Sequence, residues 1–213
     1  MISILQSAEL CNEIYTINAS AWDHYWQTDD VICAHRRIGE EDTLSFRGSK
    51  SAADWLHDAA AAVPWWDDEI GWIPFGFGQG SNDVLAEISQ VITQPLTVQG
   101  HSLGGVRARI CVAKLLYRNL PVKRLCVFGS PKPGFANVGR IFDKCKLDRD
   151  SFRNRNDPVP LSPLTLQPLL PWAHTEAWKP MDEAPDANDL EPLRDHHMAH
   201  YISGAQKLCP IQT

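Results

Sequence analysis

No apolar run in this sequence is long enough to cross a membrane. The longest, residues 59–66, falls far short of the roughly 20 residues a spanning helix needs. The opening MISILQSAELCNEIY has neither a basic stretch nor a long apolar core, so no Sec signal is expected and the chain is expected to be cytoplasmic as made. None of the six cysteines forms a Cys-x-x-Cys pair, which argues against structural zinc and dithiol redox chemistry and leaves six free thiols as the expectation. Repeats, charge blocks and Gly/Ser linkers are absent too, so residues 1–213 are expected to form one domain. Net charge is small, at −6, and excludes a general nucleic-acid binder. With 44% hydrophobic residues, the chain can bury a sizeable core and is not disordered.

What is present reads as alternating elements. Leu5, Leu10, Ile14 and Ile17 predict an amphipathic helix over residues 6–18, followed by strand-like VICAHRRI and TLSF. DWLHDAAAAV reads as a helix closed by Pro64, and a turn at GFGQG leads into a helix capped by Ser81, Asn82 or Asp83 and running to about Ile92. From there LTVQG, VKRLCVFGS and SFRNRN are strand-like, separated by the helical LGGVRARICVAKLLYRNL and GFANVGRIFDKC. Strands separated by single helices require parallel crossovers, so an α/β sheet, mostly parallel with helices on both faces, is expected. Function in such sheets gathers at the carboxyl ends of the strands. Residues 158–192 hold eight prolines and are expected to form a long loop without regular structure.

Between the strand LTVQ and its helix stands Gly100-His101-Ser102-Leu103-Gly104, the G-x-S-x-G pattern of a nucleophile elbow. The flanking glycines let backbones approach while the serine is held in a strained turn. An elbow serine needs a histidine to take its proton and an acid to orient that histidine, in the chain order Ser, acid, His. Asp157, in NRNDPVP just past a strand, fits the acid, whereas Asp148 and Asp150 are expected to precede that strand, at its wrong end. RDHHMAHYI offers His196, His197 and His200, with His174 further back in the loop. His196 and His200 could share a helix face as zinc ligands do, but the glutamate of H-E-x-x-H is missing. No metal site is therefore expected.

Taken in order, FRGSKSAADWLHD, GHSLGG, VFGSPKPG, NRNDPVP and DHHMAHYI resemble the blocks of the class 3 lipases, the family that includes the fungal triacylglycerol lipases. The resemblance spans most of the chain and implies an α/β-hydrolase fold and hydrolysis of lipid carboxylic esters through a Ser-Asp-His triad, with no metal or organic cofactor. It places the nucleophile on Ser102 and the acid on Asp157. Through Asp195, Met198 and Tyr201 it places the histidine on His196, which at the mouth of the site should precede or open its helix. It also gives Phe46-Arg47-Gly48-Ser49 a role, with Ser49 and Leu103 as the oxyanion donors.

The sequence departs from the family in carrying Arg107 and Arg109 on the elbow helix, each of which must reach solvent or meet an acidic partner, and in having Pro74-Phe75 ahead of Gly76-Phe77. The oxyanion block runs into Trp55 without a long insertion. A lid, if there is one, falls to residues 65–72 or to the proline-rich loop with Trp172 and Trp178. Eight tryptophans suit contact with a lipid surface. The expected activity is a lipase or esterase acting on a small-molecule or lipid ester. A phospholipase or acyltransferase using the same triad, and a non-catalytic binding protein on the same fold, are the alternatives.

Overall fold

A computed structural model describes residues 1–16, 18–49, 63–78, 80–163, 169, 171–181 and 193–208. Its centre is a seven-stranded sheet in the order β1-β2-β3-β6-β7-β8-β9. The strands are β1 (His24–Gln27), β2 (Ile32–Ile38), β3 (Glu41–Phe46), β6 (Leu96–His101), β7 (Val122–Phe128), β8 (Asp148–Asn154) and β9 (Lys179–Met181). Pairing is antiparallel from β1 to β3 and parallel from β3 to β9. A separate two-stranded hairpin pairs β4 (Pro64–Asp67) with β5 (Gly71–Pro74).

Side-chain alternation along β7 divides the core. Leu125 and Val127 face one layer, with α2 (Ser81–Val91), α3 (Leu103–Tyr117) and α4 (Ala136–Cys145). Cys126 and Phe128 face the other, with α1 (Ile4–Glu13) and α5 (Met198–Leu208). Successive strand residues point to opposite faces, so an uninterrupted apolar run such as Leu125–Phe128 of β7 must be covered on both. The expected sheet, mostly parallel with helices on both faces, is what the chain builds.

Several expectations need correction. Helix α1 opens earlier than its apolar spacing suggested, because Ser3 and Gln6 form a reciprocal capping box. It gives way at Ile14 to a 3-10 turn, Ile14–Thr16, which turns Tyr15 toward the sheet. The cap of α2 is Gly80 in the left-handed region, with no side-chain hydrogen bond, and not Ser81, Asn82 or Asp83. The proline-rich segment contributes β9, whose Pro180 is tolerated because the strand lies at the sheet edge. Asp148 and Asp150 lie inside β8, not before it, and Asp150 pairs with Arg124 and Lys179. Residues 65–72 form a hairpin joined by hydrogen bonds to α3 and α4. Lys114 binds Asp67, Arg118 Nε donates to Glu69 at 2.7 Å, and Asn137 donates to the Ile70 carbonyl. The helix expected at DWLHDAAAAV lies almost wholly outside the described residues, as do Cys209 and much of residues 158–192. The five described cysteines are free thiols, all buried except Cys145.

One buried carboxylate sets the register at the amino end of the parallel sheet. Asp42, the second residue of β3, accepts from the backbone N–H groups of Thr93 and Gln94, both at 2.8 Å, from His35 at 3.0 Å and from Arg37 Nε at 2.9 Å. Those bonds hold the turn entering β6 against β3. Burial opposes ionisation of Asp42, but the two amides, His35 and Arg37 outweigh it and bring the pKa down to about 2. A carboxyl depressed on folding stabilises the native state above its unfolded pKa, and that contribution disappears as pH falls through the folded value. Stability should therefore drop between about pH 4 and pH 2. In urea melts across this range, Asp42→Asn should lower stability by about 1–3 kcal/mol near neutrality and flatten the acid-side slope; an unchanged slope would show that Asp42 does not set it.

Candidate active site

β6 delivers its last residues to the carboxyl edge of the sheet and α3 starts at once at Leu103, leaving Ser102 as the hinge. Its φ of 58° and ψ of −133° are a conformation that non-glycine residues seldom adopt. The turn is possible because its neighbours lack side chains. A Cβ on Gly100 would stand 2.3 Å from the Gly104 carbonyl oxygen, and one on Gly104 would stand 2.2 Å from the Phe46 oxygen. The start of α3 thus presses directly against the end of β3, where the chain continues into Arg47, Gly48 and Ser49. A Cβ on Gly48 would come within 3.0 Å of Ser102 Cβ. The two residues assigned as oxyanion donors therefore flank the serine: Ser49 follows Gly48, and Leu103 is the first residue of a helix, where backbone N–H groups lack intrahelical acceptors.

Asp157 comes from the turn after β8 and is fully buried. Its Oδ1 accepts the Val159 N–H at 2.9 Å, and its Oδ2 accepts from His196 Nδ1 at 2.8 Å and from the Tyr201 hydroxyl at 2.5 Å. An ionised carboxylate can only accept, so Nδ1 of His196 carries the hydrogen and, in the neutral ring, Nε2 keeps the lone pair. His196 closes a 3-10 turn, Arg194–His196, and so precedes α5, which begins two residues later at Met198. Asn154 Nδ2 donates to the Asp195 carbonyl and the Asn156 N–H to the Asp195 carboxylate, each at 3.2 Å, tying this turn to the end of β8.

The other histidines stand apart from Asp157. His197 is exposed and His200 half-buried on α5. His174 binds the Pro160 carbonyl at 2.7 Å, and burial, reinforced by the Arg109 charge, lowers its pKa to about 3. Among the described residues no three His, Cys, Asp or Glu side chains converge as metal ligands. Within the cluster, Ser102 Oγ and His196 Nε2 are buried without a hydrogen-bond partner.

Three contributors were not legible as such. Tyr201, which served in the sequence only to locate His196, is a donor to Asp157; burial, and then the Asp157 charge, push its pKa far up and keep it protonated. Gly129 has φ 56°, and a Cβ there would lie 2.8 Å from Asp157 Oδ2 and 2.9 Å from the His196 ring. His101 binds the backbone of His196. The fate of the arginines on α3 also resolves. Arg109 is fully buried and meets an acid, Glu176 at 2.5 Å, together with Thr175 at 3.0 Å and Ser151 at 2.9 Å. Arg107 makes no ion pair among the described residues, and burial lowers its pKa to about 10.

The class 3 lipase family model matches residues 43–167, more than half of the chain. The chain belongs to the class 3 lipases, which are serine ester hydrolases. No curated protein sequence matches it. Among solved structures it is similar to an MDLA variant from Penicillium cyclopium, at 20% identity and TM-score 0.66, over 90% of this chain and 81% of that one. It is similar to the triacylglyceride lipase of Rhizomucor miehei at 22% identity and TM-score 0.65, covering 83% and 77%. Lip2 lipase from Yarrowia lipolytica gives 17% identity and TM-score 0.66, covering 84% and 77%. The fold of this lipase is accordingly that of the α/β-hydrolases.

The Tyr201 contact carries a prediction. Tyr201→Phe keeps the ring but removes one of three donors to a buried carboxylate, which should lower stability by about 1–2 kcal/mol. Thermal melts check this, and a variant as stable as the parent would show that the hydroxyl contributes nothing net.

Proposed function

We propose that this chain hydrolyses lipid acyl esters, with Ser102 as nucleophile, His196 as general base and Asp157 as the acid that orients it. The observation that carries the reading is the pair of unpartnered atoms, Ser102 Oγ and His196 Nε2, beside a His196–Asp157 bond that fixes the tautomer. His196 Nε2 takes the hydroxyl proton as Oγ attacks the ester carbonyl. The Asp157 charge stabilises the imidazolium that results. Backbone N–H groups of Ser49 and Leu103 receive the oxyanion as it forms, so they favour the transition state over the ground state. Collapse of the tetrahedral intermediate passes the proton to the leaving alcohol and leaves an acyl-serine. Water, deprotonated by the same nitrogen, then attacks the acyl carbon and releases the acid. None of these steps calls on a metal or organic cofactor.

Ser102→Ala should lower kcat on p-nitrophenyl esters by several powers of ten without changing the melting temperature; His196→Ala should lower kcat as far, with some loss of stability because it removes another donor to Asp157. His197→Ala and His200→Ala should keep most of the activity. Loss in His200→Ala with His196→Ala active would move the base by one helical turn. A panel of p-nitrophenyl esters of rising chain length beside phospholipids assigns the acyl substrate, and the rise should continue into long chains.

Exposed aromatics on the β4–β5 hairpin support contact with a lipid surface. Trp66 and Trp72 form an edge-to-face cross-strand pair, 53% and 42% exposed, with Phe75 exposed at the base of the hairpin. Indole combines apolar area with a polar N–H, the balance that favours a water–lipid boundary. Replacing both tryptophans by alanine should weaken binding to phosphatidylcholine vesicles and slow turnover of an emulsified triacylglycerol, while leaving hydrolysis of a dissolved short-chain ester unchanged. Equal loss on both substrates would place the hairpin's role in folding.

A further inference from the structure

His101, the variable residue of the elbow motif, has no part in the chemistry above, yet it is buried with both ring nitrogens engaged. Its Nε2 lies 2.8 Å from the backbone oxygen of His196, and its Nδ1 lies 2.9 Å from the Tyr15 hydroxyl. A carbonyl oxygen only accepts, so Nε2 carries the hydrogen. Burial, with His196 alongside, holds the His101 pKa well below the usual histidine value, so the ring is neutral and its Nδ1 is bare. Tyr15 must then donate to Nδ1, and its hydroxyl sits directly against Gly48, where a Cβ would stand 2.3 Å from it. The result is a directed chain from the Tyr15 O–H, seated against Gly48, through the His101 ring to the His196 carbonyl. The rings of His101 and His196 stack at 4.5 Å with 30° between their planes.

The two ends of this chain matter. Gly48 immediately precedes Ser49, the first oxyanion donor, and His196 is the base. These residues come from segments nearly 150 positions apart in sequence, and neither lies inside an α-helix or a strand. Asp157 fixes only the ring of His196, through Nδ1, and a side chain is held in one place only if its backbone is held as well. Hydrogen bonds running in one direction polarise one another and resist bending as a unit. A neutral ring is also required beside an imidazole that must become positive, since a second cation at this distance would oppose that charge. The Tyr15 proton on Nδ1 occupies the lone pair that His101 would need in order to ionise.

We infer that Tyr15 and His101 are positioning residues, a strut that fixes the backbone of His196 relative to the oxyanion arm at Ser49. The inference rests on the reading of His196 as general base. Its consequence is a transition-state effect: with the strut broken, substrate still binds, but base and oxyanion donors no longer hold their spacing while charge develops.

The test measures kcat and KM on a dissolved p-nitrophenyl ester for His101→Leu, His101→Gln and Tyr15→Phe, each normalised to folded protein by circular dichroism. Leucine fills the space without hydrogen bonds, whereas a glutamine amide can donate to the His196 carbonyl while its oxygen accepts from Tyr15. His101→Leu should lower kcat at least about tenfold with KM within about twofold, His101→Gln should restore most of kcat, and Tyr15→Phe should lower kcat about threefold or more. Wild-type kcat in the leucine variant, or a glutamine variant as slow as leucine, overturns the strut. If the leucine variant fails to fold, Tyr15→Phe decides alone: a lowered kcat at unchanged KM supports the strut, and an unchanged kcat overturns it. A wild-type chain that hydrolyses no ester fails the parent reading, which the variants' ratios cannot do.

Discussion

The approach of backbone to backbone at the elbow is the constraint on which the site depends. The first turn of α3 sits so close to the ends of β3 and β6 that a methyl group at Gly100 or Gly104 would overlap main-chain atoms by about an ångström. That contact is what places Ser102 in a strained turn, brings Gly48 and Ser49 beside it, and puts the start of a helix within reach of the same point. A wider separation would relax the serine and part Ser49 from Leu103. The glycines therefore act through what they omit, and the strain at Ser102 is sustained by the sheet and helix packed around it.

Buried charge then organises what the apolar core does not reach. Arg109, Lys114 and Arg124 are buried on α3 or β7, and each is joined to an acid from another element: Glu176, Asp67 and Asp150. Glu176 lies in the proline-rich segment and Asp67 in the hairpin, two regions with few buried apolar side chains among the described residues. A buried pair is a weak source of net stability, but removing one partner strands the other and costs about 3–5 kcal/mol. Such pairs specify where a loop docks more than how tightly it is held. The same holds at the site, where the carboxylate of Asp157 is met by three donors and has little freedom to move.

Much of this was legible from the chain alone, and the limits have physical causes. The alternation of apolar strands with single helices after Leu96 predicted the parallel sheet, because crossover geometry permits little else. Ser102 announced itself through glycine spacing, and Asp157 through its place just past a strand. β9 was missed because proline density argues against strands, an argument that fails at a sheet edge. His101, Gly129 and the hydroxyl of Tyr201 were not legible as site residues because their roles arise from contacts between segments far apart in sequence. Tyr15 was hidden by a boundary: its apolar neighbours continue the helical spacing, and only the 3-10 turn after Glu13 reveals where it points.

The account turns on a single reactive hydroxyl. Incubating the folded protein with a fluorophosphonate and mapping the adduct by peptide mass spectrometry addresses that claim directly, because phosphonylation requires both an activated oxygen and donors for the phosphoryl oxygen. One adduct per chain, on the peptide bearing Ser102, is the predicted result. An adduct on another residue, or a folded protein left unmodified, would contradict it.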